Sequence, residues 1–110
     1  MKFSHFVFRE KEVVKEKEIN KILSSLGMDW LIEAEFESAD VEIKNNTLIW
    51  KSGNWYWGEW YYGIWKSGTW HDGIWKSGIW EDGDFMSGKF ESGIWLAGNI
   101  NGGEVNIQHQ

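Results

Sequence analysis

The sequence predicts a mainly β protein, a β-helix-like solenoid of five-residue repeats with a small N-terminal α+β cap. Two observations carry this prediction. Glycine recurs at every fifth position from Gly53 through Gly58, Gly63 and onward to Gly103, without an exception. A bulky residue keeps the same beat two places later, first as Trp and then decaying to Phe, Ile and Val. The chain before this beat carries ordinary strand and helix patterns. The expected organisation is therefore a cap over residues 1–47, the repeat over 48–107 and a short tail over 108–110.

Size and charge bound the rest. With 110 residues there is room for one domain. There is no Cys, which excludes disulfides, thiolate metal sites and thiol nucleophiles. A net charge of −6 argues against direct nucleic-acid or anionic-membrane binding, and no apolar run approaches the length of a membrane span. The opening residues are too short and too charged for a signal peptide, so a cytoplasmic protein is expected.

Each element follows from local chemistry. Residues 3–8, Phe-Ser-His-Phe-Val-Phe, have the aromatic and β-branched content of a strand. Residues 10–26 read as a helix ended by Gly27, with Ile19, Ile22, Leu23 and Leu26 as its apolar stripe; Val13 and Val14 fall off that stripe. Residues 30–37 alternate Trp30, Ile32, Ala34 and Phe36 against Glu33, Glu35 and Glu37, which predicts a half-buried strand with an acidic outer face. Val41–Lys44 and Thr47–Trp50 flank Asn45-Asn46, a hairpin signal leading into the repeat.

In the repeat, Gly-x-Trp-x-x, an extended triplet puts Gly and Trp on one face and the middle residue on the other. The two remaining residues are mostly polar and suit a corner. One short strand and one corner, repeated, turn the chain by a constant angle and make a solenoid. The predicted core is Trp55, Trp60, Trp65, Trp70, Trp75, Trp80, Phe85, Phe90 and Trp95. A secondary beat of ten is visible where Ile-Trp-Lys-Ser-Gly alternates with Thr-Trp-His-Asp-Gly and Ile-Trp-Glu-Asp-Gly.

Gly-x-Trp-x-x over residues 48–107 resembles the small-x-large-x-x unit of the pentapeptide-repeat proteins, and Ala39-Asp40-Val41-Glu42-Ile43 resembles one such unit out of phase. That resemblance implies a four-sided right-handed parallel β-helix, with sixty residues making three coils. Tyr61-Tyr62-Gly63-Ile64-Trp65-Lys66-Ser67-Gly68 is similar to half of a MORN repeat, which implies an antiparallel meander of hairpins instead. The repeat style and its Lys/Ile/Asn/Glu background also look like small bacteriophage proteins.

No catalytic constellation emerges, and the protein is expected not to be an enzyme and to need no cofactor or metal. His71-Asp72 occupies a solvated corner, His109 the tail, and Glu81-Asp82-Gly83-Asp84 lacks calcium-loop spacing. The candidate interaction residues are the off-beat aromatics Tyr56, Trp57, Tyr61 and Tyr62, and an outer apolar patch of Ile64, Ile74, Ile79 and Ile94. These point to a non-catalytic protein-interaction module with an unidentified protein partner. An acidic phage inhibitor of a host or defence protein, including a DNA-mimicking one, is a concrete form. Aromatic platforms for a glycan or nucleotide are the alternative. So is a structural or virion component, since an open solenoid end predicts a homodimer or higher oligomer.

Overall fold

Fifteen residues, not twenty, separate the strands that pair along the repeat. Ile49 and Trp50 lie beside Ile64 and Trp65, which lie beside Ile79 and Trp80, and every such pairing is parallel. The computed structural model describes residues 2–106, so the tail at 108–110 lies outside the described residues. Three repeat units close one coil, and the chain makes a β-solenoid of about four turns. This corrects the four-sided coil and the three-coil column implied by the pentapeptide resemblance. The parallel pairing also replaces the antiparallel meander, and the ten-residue beat has no counterpart in the coil.

The order of elements begins with β1 (Phe3–Phe8), β2 (Lys11–Glu12), α1 (Glu16–Ser25), α2 (Asp29–Glu33), β3 (Glu35–Lys44) and β4 (Thr47–Trp57). Ten two-residue strands follow, from β5 (Glu59–Trp60) through β6 (Ile64–Trp65), β7 (Thr69–Trp70), β8 (Ile74–Trp75) and β9 (Ile79–Trp80). The last five are β10 (Asp84–Phe85), β11 (Lys89–Phe90), β12 (Ile94–Trp95), β13 (Asn99–Ile100) and β14 (Glu104–Val105). They stack into three faces. The first is the Ile49–Trp50 part of β4 with β6, β9 and β12; the second is the Asn54–Trp55 part of β4 with β7, β10 and β13. The third is β5, β8, β11 and β14.

The rings explain why three units suffice. Consecutive Trp on one coil meet edge to face, with Trp60–Trp65 at 5.8 Å and 78° and Trp65–Trp70 at 6.0 Å and 72°. Three large rings so arranged fill a triangular tube, because each positive ring edge meets a neighbour's negative face. Between coils the same rings stack nearly parallel: Trp50–Trp65 at 4.8 Å, Trp55–Trp70 at 4.9 Å and Trp60–Trp75 at 4.9 Å. Trp50 through Trp80, Phe85 and Phe90 are fully buried on the beat, whereas Trp95 in the last coil is only half-buried.

The backbone is tied coil to coil by two hydrogen bonds per unit. The N–H after each ring donates to the ring residue's carbonyl one coil earlier, as Lys76 does to Trp60 at 2.7 Å. The N–H before the ring donates to the earlier glycine carbonyl, as Ile74 does to Gly58 at 2.9 Å. Glycine is obligatory here for two reasons. The eleven repeat glycines have φ between +86° and +132°, a region side chains avoid. A Cβ at Gly78 would also collide with the Gly63 carbonyl oxygen and crowd the Trp60 indole nitrogen at 3.2 Å.

The N-terminal segment seals the first coil. β3 runs antiparallel to β4 through a two-residue turn at Asn45-Asn46, both in the left-handed region, and parallel to β1. Phe36 stacks on Trp55 at 6.0 Å, and Trp30 packs its edge on Trp60 at 5.4 Å. Beneath the first repeat glycines lie Ala39, Ala34 and Leu48, which a Cβ on Gly53, Gly58 or Gly63 would strike. Cap and ladder share one contiguous core.

Two elements of the cap differ from expectation. The helix begins at Glu16 rather than residue 10, because Arg9 and Glu10 turn with positive φ and Lys11–Glu12 pairs back on β1. Residues 29–33 form α2 instead of the first half of a strand. Alternation over four or five residues does not distinguish a strand from one helical turn, and burying Trp30, Leu31 and Ala34 together needs the helical one. Glu33, Glu35 and Glu37 are exposed all the same.

Seven ladder indoles, Trp50 to Trp80, have a buried N–H with no hydrogen-bond partner among the described residues. The stack therefore uses the ring and not its polar handle. Trp70→Ala should cost about 3–5 kcal/mol, while Trp70→Phe should cost under about 1.5 kcal/mol, since a Phe already stacks on Trp70 at Phe85. Urea denaturation of both variants measures the difference. The glycine argument has its own test. Gly78→Ala should abolish cooperative folding, whereas Gly27→Ala, at φ +73° with open space around it, should cost only about 1 kcal/mol.

Candidate functional site

The three faces differ in what they show to solvent. The first carries a column of Ile49, Ile64, Ile79 and Ile94; the second carries Asn54, Thr69, Asp84 and Asn99, with Asn99 donating to Asp84 at 2.9 Å. The third carries Glu59, Ile74, Lys89 and Glu104. The isoleucines grouped as one patch are thus divided. Ile64, Ile79 and Ile94 share a face, and Ile74 sits on another. Ile64 and Ile79 are half-buried by their neighbours in the column, and Ile94 is 56% exposed at its end.

Around Ile74 the structure builds a groove. At its base α2 presents Trp30 and Glu33; the corner after Trp55 contributes Trp57, and the corner after Trp60 contributes Tyr61. Glu59 lines the floor, and the groove encloses about 270 Å³. Trp57 also walls a shallower depression that runs past Asp72, Ile74 and Lys89 toward Glu104. Trp57 is 56% exposed, the most exposed Trp among the described residues.

Three of the corner aromatics, Tyr56, Tyr61 and Tyr62, are held by neighbouring side chains. Trp30 stacks on Tyr61 at 5.8 Å and meets Tyr62 edge-on at 5.7 Å, so α2 orients that corner. Lys76, one coil along, lies 5.2 Å over the Tyr61 ring and 3.5 Å from the Glu59 carboxylate. On the other side Tyr56 stacks on His71 at 4.8 Å and donates its hydroxyl to Glu37 at 3.3 Å. Desolvation, then the charge and hydrogen bond of Glu37, raise the Tyr56 phenol above its ordinary range. The four off-beat aromatics singled out from the sequence are thus exposed around one end of the solenoid. Glu33, Glu59, Ile74 and Lys76 join them only through the fifteen-residue coil and the unforeseen helix.

A second cleft of about 380 Å³ opens between β1 and α1. Lys2 at its edge donates to the Ile32 carbonyl at 2.6 Å and lies 4.8 Å over Phe36; burial lowers its pKa, with Glu16 and Glu35 opposing. His5 bridges Glu12 at 3.1 Å and Asp40 at 3.4 Å. Among the described residues no three His, Asp or Glu side chains are placed to hold a metal ion, and no helix is long and apolar enough to cross a membrane.

Fold and groove together define a class: a short three-sided β-solenoid with an aromatic, acidic groove where cap and coils meet. Comparison with known proteins returns no matching family model, no matching curated protein and no matching solved structure.

The geometry of the corner aromatics has two spectroscopic consequences. Trp57→Phe should remove most of the acrylamide-quenchable Trp emission and leave the blue-shifted remainder, and steady-state quenching measures this. Glu37→Gln should bring the titration of Tyr56 back toward the ordinary phenol range, read by ultraviolet absorbance. In the unaltered chain Tyr56 favours folding below the ordinary phenol range, and that contribution is lost as pH rises through its raised value.

Proposed function

We propose that this protein is a non-catalytic protein-interaction module that docks a protein partner through the groove at the junction of cap and solenoid. One observation carries the reading: Trp57 and Tyr61, which line the groove, and Tyr56 and Tyr62 next to them in the chain are each at least 40% exposed, at successive corners of one coil. Exposed aromatics held by neighbours have little rotamer freedom to lose on binding, which is why such residues dominate interfaces. The net charge of −6 gives the surface a sign, and a basic face on the partner suits it. Inhibition of a host or defence protein in the cytoplasm by a phage-encoded module is the form that the likeness to phage proteins favours.

A second reading, self-association, rests on a different place. The strands of the last coil, β12, β13 and β14, are each paired on one side only among the described residues. Leu96 there is 62% exposed and Ile100 45%. Unpaired edges and apolar ends are what solenoids pair through.

The two are separable. Replacing Trp57 and Tyr62 by Ser should weaken partner capture by about 2 kcal/mol or more, roughly thirtyfold, with only the small loss of thermal stability that removing the Tyr62–Trp30 contact brings. Partner capture that survives this replacement refutes the groove reading. Leu96→Lys with Ile100→Lys should instead convert an oligomer to a monomer in light scattering; a wild-type chain already monomeric at high micromolar concentration removes the second reading.

A further inference from the structure

We propose that the groove between Trp57 and Tyr61 is an arginine-binding subsite, filled by one guanidinium side chain of the partner. The inference rests on the protein-interaction reading and specifies its chemistry. Three features lead to it. The wall is aromatic and open: Trp57 offers a solvent-facing indole, and a planar cation stacks on such a face. The same groove is lined by two carboxylates, Glu33 and Glu59. Glu33 forms no ion pair among the described residues, so its charge is available to an incoming cation.

The third feature is that the chain already performs the recognition once. Lys76 places its ammonium over Tyr61 and beside Glu59, at 5.2 and 3.5 Å. An aromatic ring and a carboxylate at this corner therefore do hold a cation together. Lys76 is also a competitor, since it half-neutralises the floor of the groove. At about 270 Å³ the space suits one long side chain rather than a folded surface. Arginine fits better than lysine because its plane can lie on Trp57 while its fork of N–H donors reaches a carboxylate. A sugar ring would use the aromatic wall but leave the Glu33 carboxylate without a charge partner.

The test follows the Trp57 indole resonance, assigned with Trp57→Phe, in the full-length chain labelled with nitrogen-15. The probes are N-acetylarginine methylamide, its neutral isostere N-acetylcitrulline methylamide, and methyl glucoside. The arginine probe should shift the Trp57 signal saturably in the millimolar range, with at least about tenfold weaker response to citrulline. Glu33→Gln with Glu59→Gln should remove that preference, and Lys76→Met should tighten arginine binding about threefold or more by freeing Glu59. Equal binding of citrulline, stronger binding of the glucoside, or no shift up to roughly 50 mM arginine probe would overturn the proposal. Partner capture keeps the two readings apart. If the arginine probe fails and the Trp57 and Tyr62 double variant still loses the partner, the interaction reading stands and the arginine subsite falls. If arginine binds and that variant keeps its partner, the groove is a cation site, the interaction reading fails, and the partner's side chain is excluded as the occupant.

Discussion

The whole molecule depends on one coincidence of lengths. Hydrogen-bonded strands lie about 4.7–4.9 Å apart, and aromatic rings stack with centroids from about 4.5 Å upward. A coil whose rung is a strand and whose filling is an indole satisfies both at once, and Trp80–Trp95 at 4.8 Å does so as well as Trp50–Trp65. The glycines permit the arrangement, because any Cβ in that position would push adjacent coils apart and break ladder and stack together. Where Phe replaces Trp the fit loosens, to 5.8 Å for Trp70–Phe85 and 5.3 Å for Trp75–Phe90, while the backbone bonds of those units stay between 2.8 and 3.0 Å. The ladder sets the spacing, and the rings fill it.

A ladder of this kind has two ends, and the chain treats them differently. At the first coil the cap continues the lattice with substitutes: Phe36 for a stacking ring, Ala39 and Ala34 beneath the glycines. At the last coil Trp95, Ile100 and Val105 continue the ring columns with less and less surface to stack. The candidate groove belongs to the covered end. It exists because the corner residues there are aromatic, Tyr-Trp and Tyr-Tyr, where later coils hold His-Asp, Met-Ser, Lys-Ser or Glu-Ser. Corner side chains contribute nothing to the ladder or the stack, so the repeat leaves those positions open to a second use.

Much of this was legible in the sequence, for a physical reason. A five-residue beat of Gly and Trp admits few backbones, and the burial of the beat aromatics was legible in it, although the extended Gly-x-Trp triplet does not form: from β5 onward each strand is two residues long and the Gly before it turns with positive φ. Coil size was less accessible, because it depends on how rings meet across the tube, and the likeness to pentapeptide repeats points to four. The signal was nonetheless present: Ile-Trp recurs at 49, 64, 79 and 94, fifteen residues apart, partly masked by a further copy at 74. That extra copy is also why the sequence groups Ile74 with isoleucines from which the fold separates it. The helix at residues 29–33 was hidden by a short alternation that suits two conformations. Of the groove, only the corner aromatics stood out; Glu33, Glu59 and Lys76 are ordinary surface charges until the coil brings them together.

The unequal faces give the chain a strict phase. Removing fifteen residues from the middle of the repeat would shorten the column by one storey and leave every remaining residue on its own face. Removing five would keep each Gly and each ring in register, yet would rotate everything beyond the cut by a third of a turn. The isoleucine column would then run into the Asn/Thr/Asp column, the Lys66–Glu81 pair at 3.9 Å would be lost, and the groove's upper rim would change its chemistry. The lattice that holds the molecule together is indifferent to such a slip, while its surface is not. Length change in this molecule is therefore quantised at two levels, in fives for folding and in fifteens for recognition.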